Sequence, residues 1–292
     1  MKRRWILFSK IGLSLILTIG LTLACQEQVG QNETPLVNLN TPTQPTSTAP
    51  AADTLPPTQT ATIARVDLIR EMIGQVNPDR ALTDLKRLSG ELPICNGNDC
   101  HTIANRLTGS EGLHWAEDYI YSILTSLGYA VEISPWSSSG YSDENIIATK
   151  PGSDASSGEI YIVAHMDGVQ SGDEDRFPAA DDNASGDVAL LELARVASNH
   201  TFSHSLVLFF SSGEEEGELG VQSYLNQLSQ QDLSLIKDVV DVDMIGYDAN
   251  QDHVMELWYG DHAPSLALAQ MMSQTITDYQ IDLSPGFIVG CG

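Results

Sequence analysis

One imidazole and a set of carboxylates recur at four points of the sequence: His165-Met166-Asp167, Asp181-Asp182-Asn183, Glu214-Glu215-Glu216 and Asp243. Carboxylates brought together repel one another, and the cluster needs a cation, a proton or solvent to offset its charge. One histidine nitrogen with three or four carboxylate oxygens is a ligand set that suits zinc. A carboxylate can also bridge two metal ions about 3.5–4 Å apart, with a water held between them. Asp167, two residues beyond His165, can accept the second imidazole N–H and orient the ring. A neighbour of Glu215 that binds no metal is free to take a proton from that water. Each cluster also has a plain reading. Glu214–Glu216 reads as a solvated turn, Asp181-Asp182-Asn183 as a helix N-cap, and His165 as a satisfied core histidine. The other histidines, among them His101, His114, His200, His204 and His253, read as ordinary polar positions.

The elements that must carry these residues favour the joint reading. Ile160–Ala164 is a continuous apolar run, as in a strand buried on both faces, and it leads into His165. A second such strand, Leu206–Phe210, leads into Ser211-Ser212-Gly213 and the three glutamates, and a third, Val239–Met244, carries Asp243. Asp181-Asp182 open a helix predicted over Asn183–Ser198. Further strands are expected at Tyr129–Ile133, Asn145–Thr149, Val254–Tyr259 and from Phe287. Helices are expected from an Ser110 N-cap to Leu127, at Leu219–Leu228 and at Pro264–Tyr279. Two shorter helical patterns, through Val66–Ile73 and Leu82–Leu88, come before them. Alternating strands and helices predict an α/β fold, with a mostly parallel central sheet covered by helices on both faces. Ligands of such sheets bind outside the carboxyl ends of the strands, where all four clusters fall.

The rest of the chain bears on location. Lys2-Arg3-Arg4 and an apolar run ending near Ala24 read as a signal peptide over residues 1–25. The uninterrupted run, Ile11–Ala24, is too short to span a membrane. Leu21-Thr22-Leu23-Ala24-Cys25 resembles a lipoprotein processing site, with Cys25 as the lipid carrier and the only membrane attachment. Residues 26–62 have no Lys or Arg, and nine Thr and six Pro fall between Thr34 and Thr62. Such a linker cannot bury enough apolar area to order itself. Residues 63–292 remain for a globular catalytic or binding domain. The chain's formal charge is −25, and removal of residues 1–25 leaves 10 basic against 39 acidic residues. That excludes nucleic acid and basic docking on anionic lipid. Cys95 and Cys100 are expected to form a small-loop disulfide in an oxidising compartment.

The ordered set Arg106-Leu107-Thr108-Gly109-Ser110-Glu111-Gly112, Ala164-His165-Met166-Asp167, Ala180–Gly186, Gly213–Gly217 and Asp243–Gly246 resembles the two-zinc aminopeptidase family over Leu85–Gly292. That family of zinc exopeptidases includes secreted bacterial leucyl aminopeptidases and plasma glutamate carboxypeptidase, with glutaminyl cyclases as relatives. The resemblance implies a phosphorylase/hydrolase-like α/β/α sandwich binding two Zn²⁺. His165 and Asp243 hold one zinc, Glu215 the other, and Asp182 bridges both through a cis peptide to Asn183. Glu214 is the implied general base and Asp167 the residue that orients His165. The implied protein is a monomeric, extracytoplasmic metallo-aminopeptidase acting on peptides. A carboxypeptidase or dipeptidase of the same fold, or a non-catalytic ectodomain, is the alternative. The family's fifth ligand is a His in a Ser-Asp-His stretch just beyond the segment matching Ile288–Gly292. A truncated chain with an incomplete second zinc site is therefore expected. Asp261-His262 is a superficial stand-in for that stretch.

Overall fold

The computed structural model describes residues 68–170 and 176–290. The expected signal peptide, Cys25 and the 26–62 linker lie outside the described residues. The Cys95–Cys100 disulfide is present, joining directly opposed residues of a small hairpin, β1 (Ile94–Asn96) and β2 (Asp99–His101).

Five strands form the central sheet: β3 (Ala130–Ser138), β4 (Tyr141–Lys150), β5 (Glu159–His165), β6 (Ser205–Ser211) and β7 (Ile236–Asp241). Their order is β3-β4-β6-β5-β7. The three strands that lead to the acidic and histidine clusters are parallel neighbours, with β5 between β6 and β7. The other two pairings are antiparallel, so the sheet is mixed. The physical reason is local: Ser139 (φ 53°) and Gly140 (φ 91°) make a two-residue reversal between β3 and β4, a turn that joins only antiparallel strands. Both hairpin strands run further toward this turn than their apolar residues suggest. Pro135 is tolerated because β3 is an edge strand.

Alternation along the strands supplies two apolar faces. Ile146, Ala148, Ile162, Ala164, Leu208 and Phe210 lie on one face. Against them pack α2 (Glu111–Ser126) and α3 (Ala184–Ala197), and α6 (Ala263–Tyr279) belongs to the same core. Ile147, Tyr161, Val207 and Phe209 lie on the other, against Val221 and Tyr224 of α4 (Leu219–Gln227). Full burial of each such Ile, Leu or Phe stabilises the fold by about 1.5–3 kcal/mol. α1 (Pro78–Leu88) packs on α3. α5 (Gln230–Leu235) has no buried residue and is held by a Ser229/Asp232 capping box, so it left no hydrophobic period to read. β8 (Val254–Tyr259) and β9 (Ser284–Val289) are parallel, joined through α6, and among the described residues pair only with each other. No helix of the described residues is long and apolar enough to cross a membrane.

Candidate metal centre

His165 is the last residue of β5 and is 4% exposed. β7 ends at Asp241, and Asp243 lies two residues beyond it rather than inside the strand. Asp182 comes from a third direction, just before α3. Asn183 caps that helix, its Oδ1 accepting the Gly186 amide at 2.9 Å while Nδ2 donates to the Val242 carbonyl at 2.8 Å. One side chain thus ties the start of α3 to the end of β7. A Cβ on Gly186 would meet the Val242 oxygen at 2.3 Å, so glycine permits this approach. The Asp181 carboxylate accepts the Gly246 amide at 2.7 Å, and Ser185 Oγ accepts the Ile245 amide at 3.0 Å. The Asp182–Asn183 peptide is cis, as the family resemblance implied.

These tethers bring His165 Nε2 to 3.2 Å from Asp182 Oδ1 and 3.7 Å from Asp243 Oδ1. One ligand atom from each of the three lies within 4.8 Å of the others, a grouping able to hold a metal ion. Glu215 is outside this trio but faces Asp182. Burial first, and then the Asp182 charge, push its carboxyl up to about 7. Its Oε1 is buried without a hydrogen-bond partner. Burial also raises Glu214. For His165, burial by itself lowers the pKa, but the carboxylates of Asp167, Asp182 and Asp243 outweigh it and hold the imidazole well above the ordinary value. Convergent carboxylates with an orphaned oxygen, one imidazole and no lysine or arginine in the trio fit a divalent cation.

Asp167 meets both the His165 ring and the glutamate turn. His165 Nδ1 is 3.2 Å from the Asp167 main-chain oxygen and 3.7 Å from its carboxylate. The carboxylate is fully buried, accepts the Glu214 and Glu215 amides at 3.2 Å each, and accepts Thr108 Oγ1 at 3.2 Å. It holds the glutamate turn more closely than the ring. His262 caps α6 through Nδ1, accepting the Ser265 amide at 3.4 Å, and is not in the trio.

Several supporting residues had no role assigned from sequence. Arg106 is 1% exposed and donates to the carbonyls of Met166, Leu88, Pro178 and Ala179, which ties the ends of α1 and β5 to the loop before Asp182. Trp136 Nε1 donates to Ser212 Oγ at 2.8 Å, and its ring covers Gly213. An arginine among apolar residues was the available signal for the first; nothing local marked the second.

A mixed α/β sheet with a histidine and carboxylates gathered at the carboxyl ends of its parallel strands defines an α/β protein with a candidate metal centre. Residues 145–283 match the model of Peptidase family M28. Leupeptin-inactivating enzyme 1 of Streptomyces exfoliatus is 30% identical over 171 residues, 58% of this chain and 37% of that protein. A probable leucine aminopeptidase of Trichophyton verrucosum is 27% identical over 195 residues, 63% of this chain and 50% of that one. The chain thus spans between about a third and a half of these relatives' length. The fold is similar to that of LapA of Legionella pneumophila (TM-score 0.59, 21% identity, 76% of this chain and 58% of that one). It is also similar to a glutaminyl cyclase of Macrostomum lignano (TM-score 0.60, 17% identity, 82% and 77%).

Proposed function

We propose that this protein is a zinc-dependent exopeptidase that releases N-terminal residues from peptides outside the cytoplasm. The observation that carries the reading is the convergence of His165, Asp182 and Asp243 beside the partnerless oxygen of Glu215. In this reading His165, Asp182 and Asp243 would hold one Zn²⁺, and Glu215, with Asp182, would hold a second. Zinc bound there supplies Lewis acidity to the attacking water and the scissile carbonyl. Glu214, half-buried and raised in pKa by that burial, takes the proton of the attacking water and delivers it to the leaving amine. Asp167 and Trp136 keep the Glu214 turn in place. The aminopeptidase direction is supported by the relative named as a probable leucine aminopeptidase. The extracytoplasmic location is supported by the Cys95–Cys100 disulfide.

A glutaminyl cyclase is the second reading, favoured by the shared fold. Adjacent Glu214 and Glu215, one ligand and one base, favour hydrolysis. The test is zinc-loaded protein assayed on leucyl-p-nitroanilide, on a peptide with a free C-terminal dipeptide, and on an N-terminal glutaminyl peptide. Release of p-nitroaniline, abolished by chelator and restored by Zn²⁺, is the expected result. Cyclisation or C-terminal cleavage without it overturns the proposal.

A further inference from the structure

A cavity of about 650 Å³ lies between helix α2 and the β3–β4 hairpin. Its wall holds the carboxylates Glu117, Asp118, Asp143 and Glu144, the imidazole His114, and no lysine or arginine. His114 and Glu117 are three residues apart on α2 and so share a helix face. Asp143 is the third residue of β4. His114 Nε2 is 3.8 Å from Asp143 Oδ1, and one ligand atom from each of His114, Glu117 and Asp143 lies within 4.8 Å of the others.

Glu117 is the residue that calls for a ligand. It is 3% exposed, and its Oε1 is buried with no hydrogen-bond partner. Asp143 is anchored, with Oδ2 accepting the Gly109 amide at 2.6 Å and Oδ1 the Glu144 amide at 2.9 Å. Burial, followed by the facing Asp143, pushes the Glu117 carboxyl up to about 10. Two buried carboxyl groups that face each other hold either a shared proton or a cation between them.

We propose that His114, Glu117 and Asp143 form a second divalent-cation site, separate from the His165 centre and taking Zn²⁺. A divalent ion neutralises the two carboxylates, and an imidazole nitrogen among the donors selects zinc over calcium or magnesium. Three protein ligands leave a position open toward the cavity. The ion is coupled to the glutamate turn: Asp143 holds Gly109, and the neighbouring Thr108 holds Asp167. The inference does not rest on the peptidase reading.

The test is zinc content of the full chain after dialysis against buffered micromolar Zn²⁺, measured by plasma mass spectrometry. The parent is compared with Glu117→Gln, His114→Ala and, for the other centre, Asp182→Asn. The expected result is one zinc fewer per chain in both Glu117→Gln and His114→Ala, with the loss in Asp182→Asn additive to it. His114 is largely exposed, so its variant folds even if Glu117→Gln does not. Equal zinc in the parent and both variants overturns the proposal, because the carboxyl pair then shares a proton. Loss in His114→Ala but not in Glu117→Gln also overturns it, because the ion then sits on a surface imidazole alone. An unchanged count in Asp182→Asn counts against the His165 centre and leaves this site standing.

Discussion

The Asp167 carboxylate spans the backbone of the glutamate turn, with Oδ1 on the Glu214 amide and Oδ2 on the Glu215 amide, each at 3.2 Å. Two N–H groups that point at one buried carboxylate set the direction in which both glutamate side chains leave the chain. Asp167→Asn replaces one acceptor with an NH₂ group that faces an N–H donor. Loss of such a supporting partner typically lowers activity 10- to 100-fold. The expected outcome is a fall of that size in kcat with KM nearly unchanged, read by steady-state kinetics on leucyl-p-nitroanilide.

Glu214 and Glu215 are neighbours with different assignments, and substitution separates them. Glu214→Gln removes the base and is expected to lower kcat by about 10²- to 10⁴-fold while zinc content stays at the parent level. Glu215→Gln is expected to lower zinc content. Matched metal analysis and kinetics on both variants check the pair; zinc loss in Glu214→Gln rather than Glu215→Gln would exchange the roles.

Gly213 has φ +71°, and a Cβ there would sit 2.5 Å from the Trp136 ring. The left-handed backbone costs an alanine about 1–2 kcal/mol, and the ring contact adds to it. Gly213→Ala is expected to lower kcat at least tenfold and to lower Tm. Trimming the ring in a Gly213→Ala/Trp136→Leu double variant should return part of the activity only if the clash displaces the turn, so the double variant against each single one is the measurement.

Metal removal should weaken the fold as well as the activity, because an ion that binds only the folded chain stabilises it. At a free concentration 1,000 times Kd the effect is about 4 kcal/mol. A chelator is expected to lower Tm, and Zn²⁺ to restore it, in the parent. His165→Ala should show a smaller response, measured by scanning calorimetry.

Asp187 on α3 is completely buried, neither carboxylate oxygen has a hydrogen-bond partner, and burial pushes its carboxyl up to about 7. Its folded pKa is raised above the unfolded value near 4. The protonated group therefore contributes full stability below about pH 4, and that contribution is lost as pH rises to about 7, at about 1.4 kcal/mol per pH unit. Asp187→Asn is expected to flatten this part of the profile and to be more stable than the parent at pH 8. Arg106 keeps its carbonyl partners in that variant. Urea unfolding of both proteins between pH 4 and 8 checks the sign.

Much of the site was legible because its residues sit where local pattern changes. β5 and β6 are buried on both faces, so their apolar runs stand out, and the polar residues that follow must lie at one sheet edge. His165, Glu214, Glu215 and Asp243 stand beyond such runs and Asp182 at a helix start, and the N-caps Ser110 and Asn183 mark their helices by residue type alone. The outer half of the β3–β4 hairpin carries Pro, Ser and Gly, which signal a turn before the strands have ended. Helix α5 buries nothing and so shows no hydrophobic period in the sequence.

Contacts between distant segments were decided only by the tertiary structure. Sequence spacing let Asp167 serve the His165 ring, but the packing of β5 beside β6 gives its carboxylate to the amides after Gly213. Arg106 reads as one polar residue in a loop, and becomes a four-carbonyl clamp only when α1, the end of β5 and the loop before Asp182 meet. His114 reads as an ordinary polar position, and nothing local marks Glu117 or Asp143. They face one another because the hairpin folds back over α2, which removes water from Glu117 without supplying a donor. By itself the sequence determined which residue types stand at the ends of which elements, since hydrophobic periodicity is a local property. The pairing of those ends, and with it each side chain's dielectric surroundings and partners, depends on how the layers pack, which no local window contains.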